Sequence, residues 1–147
     1  MTGQGAGSAW PSANPPPARP VFTWKLRDIS ELPQLRSDLR RHTEGDARPE
    51  DPAAVDLRDQ LVLAFDEMAS NALRHGGGDV QAVLRLTEDS YLIEVSDQAA
   101  GAPPSPAVGR DPSEGGLGLY LIAELASMHG WYVRAGHKHV WALLPRT

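Results

Sequence analysis

Leu63-Ala64-Phe65-Asp66-Glu67-Met68-Ala69-Ser70-Asn71-Ala72-Leu73-Arg74-His75, followed by Gly76-Gly77-Gly78, is the stretch whose reading decides the architecture. Taken back to Val55, its apolar residues Leu57, Leu61, Phe65, Met68 and Ala72 recur at three and four, with Val62, Ala69 and Leu73 widening the stripe. That spacing predicts an amphipathic helix over Val55 to His75 with one face in a core. The glycine triplet ends it, since glycine tolerates the left-handed backbone common at helix C-termini. Glu67, Asn71 and His75 follow one another at intervals of four, so they project from one side, beside the apolar stripe. A carboxylate there is suited to general-base work, and an amide oxygen one turn on is a hard ligand suited to Mg²⁺. The same pair also serves ordinary hydrogen bonding at a helix edge, and His75 also suits a helix end, where a cation complements the dipole.

Upstream, Val21 to Leu26 reads as a short strand after Pro20, and Ser30 as the N-cap of a helix carrying Leu32, Leu35 and Leu39 on one face and Arg36, Arg40 and Arg41 elsewhere. Glu44 to Ala54 breaks the pattern and reads as a loop. Downstream, Val80 to Leu86 and Tyr91 to Ser96 read as a hairpin, Leu117 to His129 as a helix stopped by Gly130, and Trp131 to Ala135 with His139 to Leu144 as a second hairpin around Gly136-His137-Lys138. Strands joined by tight turns imply a mainly antiparallel sheet. Three helices are enough to cover one face of it, so the expected fold is a two-layer α/β sandwich.

Composition agrees with one globular domain. The chain has 147 residues, 41% of them hydrophobic and 22% charged, and no apolar run reaches the roughly 18 residues a spanning helix needs. With no cysteine, thiolate metal sites and cysteine nucleophiles are excluded. The net charge is −5 and the basic residues are scattered, which argues against a nucleic-acid partner. The 14 glycines and 13 prolines concentrate in two places. Residues 1–20 read as a flexible Gly/Pro-rich tail before a domain over 21–147, with Trp10 either an isolated apolar residue or an anchor for a partner. This tail has neither the basic nor the apolar region of a secretory signal, so a cytoplasmic location is expected.

Residues 101–118 form the second concentration. Asp97, at the end of a strand, either turns the chain or presents an acceptor to an exocyclic amine, and Gly101 allows backbone to approach a ligand. Gly115-Gly116-Leu117-Gly118 precedes a helix. Such a junction either exposes amides that favour a phosphate or acts as a hinge. No Lys-Ser/Thr pair follows, so it is not a Walker loop.

The ordered set is far more specific than its parts. The stretch from Leu63 to Gly76 resembles the N box of the GHKL (Bergerat-fold) ATPases, Asp97 to Gly101 the first glycine box, and Glu114-Gly115-Gly116-Leu117-Gly118-Leu119-Tyr120-Leu121-Ile122 the second. The short length, without a phospho-accepting histidine helix in front, is most similar to the bacterial anti-sigma-factor serine/threonine kinases. The resemblance implies ATP and Mg²⁺ as ligands. Asn71 would coordinate the metal, with His75 one turn further along the same wall, and Glu67 would orient or deprotonate a serine hydroxyl of a partner protein. Asp97 would accept from the adenine amine, Gly101 would lie against the nucleotide, and Gly115, Gly116, Leu117 and Gly118 would line the phosphates, under a lid running from Ala102 to Glu114. It also implies a sigma factor and a competing antagonist protein as partners, and a homodimer using the Leu32-Leu39 region.

Three positions depart from the family pattern. Ala99 stands where the first box usually has its middle glycine. His139 is read as standing where the final hairpin often has a threonine near the adenine, and Glu114 precedes Gly115, leaving Arg110 as the lid cation. These departures leave two functional classes beside the kinase. One is a binding module that uses ATP to order its lid without transferring phosphate; the other is an adaptor without nucleotide, against which Glu67 and Asn71 argue.

Overall fold

A computed structural model describes residues 10–46, 51–76, 78–101 and 117–146, the side chains of 46 and 117 excepted. Gly115, Gly116 and the expected lid lie outside the described residues. The elements run β1 (Arg19–Leu26), α1 (Leu32–His42), α2 (Pro52–His75), β2 (Val80–Leu86), β3 (Ser90–Asp97), α3 (Leu117–Leu125), β4 (Met128–Arg134) and β5 (His137–Pro145). The five strands pair in the order β1-β2-β3-β5-β4, every pair antiparallel. All three helices pack on one face, giving the expected two-layer α/β sandwich.

Strand alternation explains the layering. Tyr91, Ile93 and Val95 of β3 and Val140, Ala142 and Leu144 of β5 enter the core shared with Leu35, Leu39, Leu61, Phe65 and Met68 of the helices. Each fully buried side chain of this size contributes about 1.5–3 kcal/mol. Leu92, Trp141 and Leu143 point the other way and make a second, smaller cluster.

The ends of several elements differ from the sequence reading. Ser30 does not cap a helix; Asp28 precedes a 3₁₀ turn over Ile29–Glu31, and the Glu31 carboxylate accepts from the backbone N–H groups of Arg27 at 2.6 Å and Asp28 at 3.0 Å. The long helix starts at Pro52 rather than Val55, because Asp51 accepts from Ala53 N at 3.1 Å and proline is preorganised for the first turn. At its other end the left-handed residue is Gly78, with φ 71°, while Gly76 is still right-handed. The last helix stops at Leu125 instead of His129. Met128 and His129 are taken into the sheet by pairing with Leu143 and Ala142, a gain the helix could not match. Ala135 and Gly136 both have positive φ, the two-residue hairpin turn that suits strand twist.

The described part of the expected flexible tail is packed. Residues 10–18 wrap the outer edge of β4: Trp131 N donates to Pro11 O at 3.0 Å and Ala13 N to Trp131 O at 2.9 Å. The indole of Trp141 then donates to Ala13 O at 2.9 Å, and Ala18 packs on the second cluster. Gly130 permits this approach, since a Cβ there would stand 3.0 Å from Pro11 O. Trp10 is neither isolated nor a free anchor; it is 3% exposed, in the main core, with its ring edge-on to His129 at 4.8 Å. A tryptophan supplies enough area to fix the segment that carries it, which glycine and proline content alone does not reveal.

The α1 arginines are engaged inside the chain. Arg36 pairs with Asp66 at 2.7 Å, Arg40 with Asp59 at 3.1 Å and Arg41 with Asp38 at 2.9 Å. Asp38 also accepts from Trp24 Nε1 at 3.0 Å and Gln34 Nε2 at 2.8 Å. The Trp24 bond, aided by those of Gln34 and Arg41, holds its carboxyl below the ordinary value of 3.8 against the opposing effect of burial. This network ties α1 to β1.

Candidate ATP site

The stripe of α2 that buries Leu61, Phe65, Met68 and Ala72 fixes the rotation of the helix, and this leaves Glu67 and Asn71 half-buried and His75 exposed. Two glycine contacts place this helix against the other two motifs. A methyl group added at Gly118 would land on the Glu67 carboxylate, so the first turn of α3 lies directly against that side chain. A methyl added at Gly76 would land on the Asp97 carboxylate, so the end of α2 lies against the last residue of β3. Between Glu67 and Gly76 the helix rises about 14 Å. The tertiary structure therefore brings together Glu67 with Gly118, and Asp97 with the α2 terminus. Gly101 is exposed, and a Cβ placed on it would meet nothing within 4 Å among the described residues. Leu117 opens α3; its side chain, with Gly115 and Gly116, lies outside the described residues.

Asp97 is 2% exposed. One carboxylate oxygen accepts from Ala99 N at 2.8 Å, and the other faces Lys138 Nζ at 3.6 Å. Ala99 thus has a part of its own, since its N–H orients the carboxylate in a short Asx turn. Lys138, which the sequence reading did not single out, is the residue that faces Asp97. It stands opposite Asp97 in the β3–β5 register and shares the helix-side face with Val140 and Ala142.

His139, read from the resemblance as standing near the adenine, does not share the face of Asp97. Neighbouring strand residues point to opposite faces, and His139 lies on the outer face, away from Asp97. There its Nδ1 donates to Glu94 Oε2 at 2.7 Å and its ring stacks on Tyr132 at 4.6 Å. Glu94, 2% exposed, also accepts from Tyr132 OH and Arg85, each at 2.7 Å. Burial works to raise its carboxyl pKa, but the His139 and Tyr132 bonds and the Arg85 charge outweigh it, and the group titrates below its ordinary 4.5. Burial, reinforced by the bond to Glu94, pushes the Tyr132 phenol up to about 12. This cluster buttresses the sheet beneath residues 14–18 and takes no part in the site.

An antiparallel five-stranded sheet under three helices, with an N box, a buried strand-end aspartate and a glycine-opened helix in contact as above, defines a GHKL-type ATPase domain. Residues 28–142 match the family model of the histidine kinase-like ATPase domain, and the chain belongs to that ATP-binding family. The chain is also similar to the alginate biosynthesis sensor protein KinB of Pseudomonas aeruginosa, at 36% identity over 82 residues, which is 48% of this chain and 14% of the sensor. No helix among the described residues is long and apolar enough to cross a membrane.

Proposed function

We propose that the protein is a Mg-ATP-dependent serine/threonine protein kinase that acts as an anti-sigma factor and phosphorylates an antagonist protein, with a homodimer formed through the α1 region. The observation that carries the catalytic part is the contact of Glu67 with Gly118. It lays a carboxylate against the first turn of α3, whose N-terminal amides and dipole favour phosphate. The residues fit the ligand: the glycine contacts keep a Cβ out at both ends, and an acceptor carboxylate lies at the base end.

Among the described residues no three His, Cys, Asp or Glu side chains gather into a metal cage. A Mg²⁺ on Asn71 would therefore draw its remaining ligands from phosphate and water, the usual coordination of a nucleotide-bound metal. Bound Mg-ATP supplies the γ-phosphoryl group and neutralises the charge that builds during its transfer. Asn71, one turn from Glu67, holds the metal side. His75 and Gly101 would flank the nucleotide, and the first turn of α3 at Gly118 would face the phosphates, a role the family resemblance also gives Gly115, Gly116 and Leu117. Glu67 orients the attacking hydroxyl and accepts its proton, and Asp97 accepts from the adenine amine.

Two measurements test this. Mg-ATP at millimolar concentration should raise the melting temperature, because a ligand that binds only the native state stabilises it; no shift with ATP or ADP would remove the nucleotide site. Labelled ATP incubated with candidate antagonist proteins should mark a serine or threonine. The label should be lost with Glu67→Ala and Asn71→Ala, and the unlabelled antagonist should displace a co-purified sigma factor. Binding without transfer would reassign the protein to a non-catalytic, nucleotide-dependent partner-binding module.

A further inference from the structure

We infer that the outer face of the sheet, on the side away from the helices and the candidate ATP site, holds a separate binding site for a small oxyanion, a phosphate or carboxylate group. Strand alternation builds it. Trp24 and Leu26 of β1, Val80 and Ala82 of β2 and Val95 of β3 enter the main core, so Lys25, Gln81 and Ser96 point to the opposite face. The register sets these three in one row, Lys25 against Gln81 and Gln81 against Ser96, at the strand spacing of about 4.8 Å. Arg27 and Gln98 lie two residues beyond Lys25 and Ser96, and with Asp79 they complete the polar lining of a cavity of about 270 Å³ at this end of the sheet.

The lining selects the ligand. Lys25 and Arg27 bring two cations, and neither enters a salt bridge among the described residues, whereas Arg36, Arg40, Arg41 and Arg85 are each paired with a carboxylate. The Glu31 carboxylate, close by, is engaged by the backbone N–H groups of Arg27 and Asp28. Asp79 is the one carboxylate in the lining, so positive charge prevails. Gln81 and Gln98 add amide donors and Ser96 a hydroxyl. A guanidinium fork and an ammonium beside neutral donors suit the oxygens of a phosphate or a carboxylate. Gln98 is placed by packing, since a Cβ on Gly78 would land on its side-chain amide. The volume falls just below the roughly 300–1,000 Å³ of drug-sized sites, which limits the occupant to a small molecule. Residues 14–18 lie over Leu92 and Glu94, toward the other end of the same face, and leave this end open.

The test is NMR titration of the ¹⁵N-labelled full chain with sodium phosphate and, separately, sodium malonate, each compared with sodium chloride at matched ionic strength. The backbone amides of Gln81, Ser96 and Gln98 should shift saturably with at least one of the two anions and not with chloride; whichever binds more tightly names the group. Lys25→Gln and Arg27→Gln should each weaken that binding about 10-fold, the low end of the range for hydrogen bonds to charged groups, because both cations are exposed. Both substitutions are on the surface, and both proteins should keep the Mg-ATP melting shift. Shifts that rise linearly or are matched by chloride, shifts confined to the start of α3, or wild-type affinity in both variants overturns the inference and leaves the nucleotide reading standing. A chain that binds the anion here but shows no melting shift with Mg-ATP overturns the nucleotide reading alone.

Discussion

Gly76→Ala and Gly118→Ala separate two kinds of close approach that the sequence writes with the same letter. At Gly76 the backbone φ is −84°, open to any residue, and alanine is the better helix former by about 1 kcal/mol. Backbone preference alone therefore predicts stabilisation. Packing predicts the opposite, because the new methyl would sit 2.6 Å from the Asp97 Cβ, at the root of that side chain. Asp97 cannot swing away: it is 2% exposed, bonded to Ala99 N and faced by Lys138. Overpacking a fixed site costs about 1–3 kcal/mol. Set against the gain of about 1 kcal/mol from alanine, the net loss is up to about 2 kcal/mol, and at about 2–4 °C per kcal/mol for a chain of this size the melting temperature should fall by up to roughly 8 °C.

At Gly118 the methyl meets the far end of the half-buried Glu67. A flexible carboxylate can step aside, so stability should change by less than about 1 kcal/mol. Its displacement should nevertheless abolish most phosphoryl transfer. Thermal melts with and without Mg-ATP, read beside the labelling assay, give both quantities. A Gly76→Ala protein as stable as wild type or more so, or a Gly118→Ala protein that loses more stability than Gly76→Ala, would refute the reasoning.

Three further perturbations probe the rest of the fold. Glu94 titrates below its ordinary 4.5, so its contribution is complete above that pH and is lost as the pH falls through the lower folded-state value. Glu94→Gln should flatten the acid limb of the stability curve, and identical slopes in the two proteins would contradict the assigned network. Trp10→Ala should cost about 3–5 kcal/mol in denaturant unfolding, as for other buried tryptophans; a loss under about 1 kcal/mol would mean that residues 10–18 are not part of the core. Arg36 is 41% exposed in its pair with Asp66. Arg36→Ala should therefore cost no more than about 1 kcal/mol, less at high salt, and a larger, salt-independent loss would show that the guanidinium serves in packing.

The candidate site was legible where its residues lie on a periodic element. The α2 stripe fixes which side Glu67 and Asn71 take, because helical rotation follows from the buried positions. Asp97 was legible as a strand-end acid beside a glycine box. Lys138 was not, because a short final strand alternates apolar residues on both faces: Val140, Ala142 and Leu144 toward the helices, Trp141 and Leu143 toward residues 14–18. With both faces covered, hydrophobicity cannot say which parity faces the helices, and the family resemblance put His139 on a face that it does not take. The helix assigned to Leu117–His129 failed for a related reason, since pairing with β5 reclaims Met128–Gly130 for the sheet.

The sequence by itself determined the fold class, the helix carrying Glu67, Asn71 and His75, and the order of the three ATP motifs, because those follow from local spacing and from glycines with definite backbone uses. Only the tertiary structure decided that Glu67 meets Gly118, that Lys138 rather than His139 faces Asp97, and that Trp10 closes the core. Each of these is a contact between segments far apart in the chain. Such contacts are settled by strand register and core packing, where a shift of one residue moves a side chain to the opposite face of the sheet.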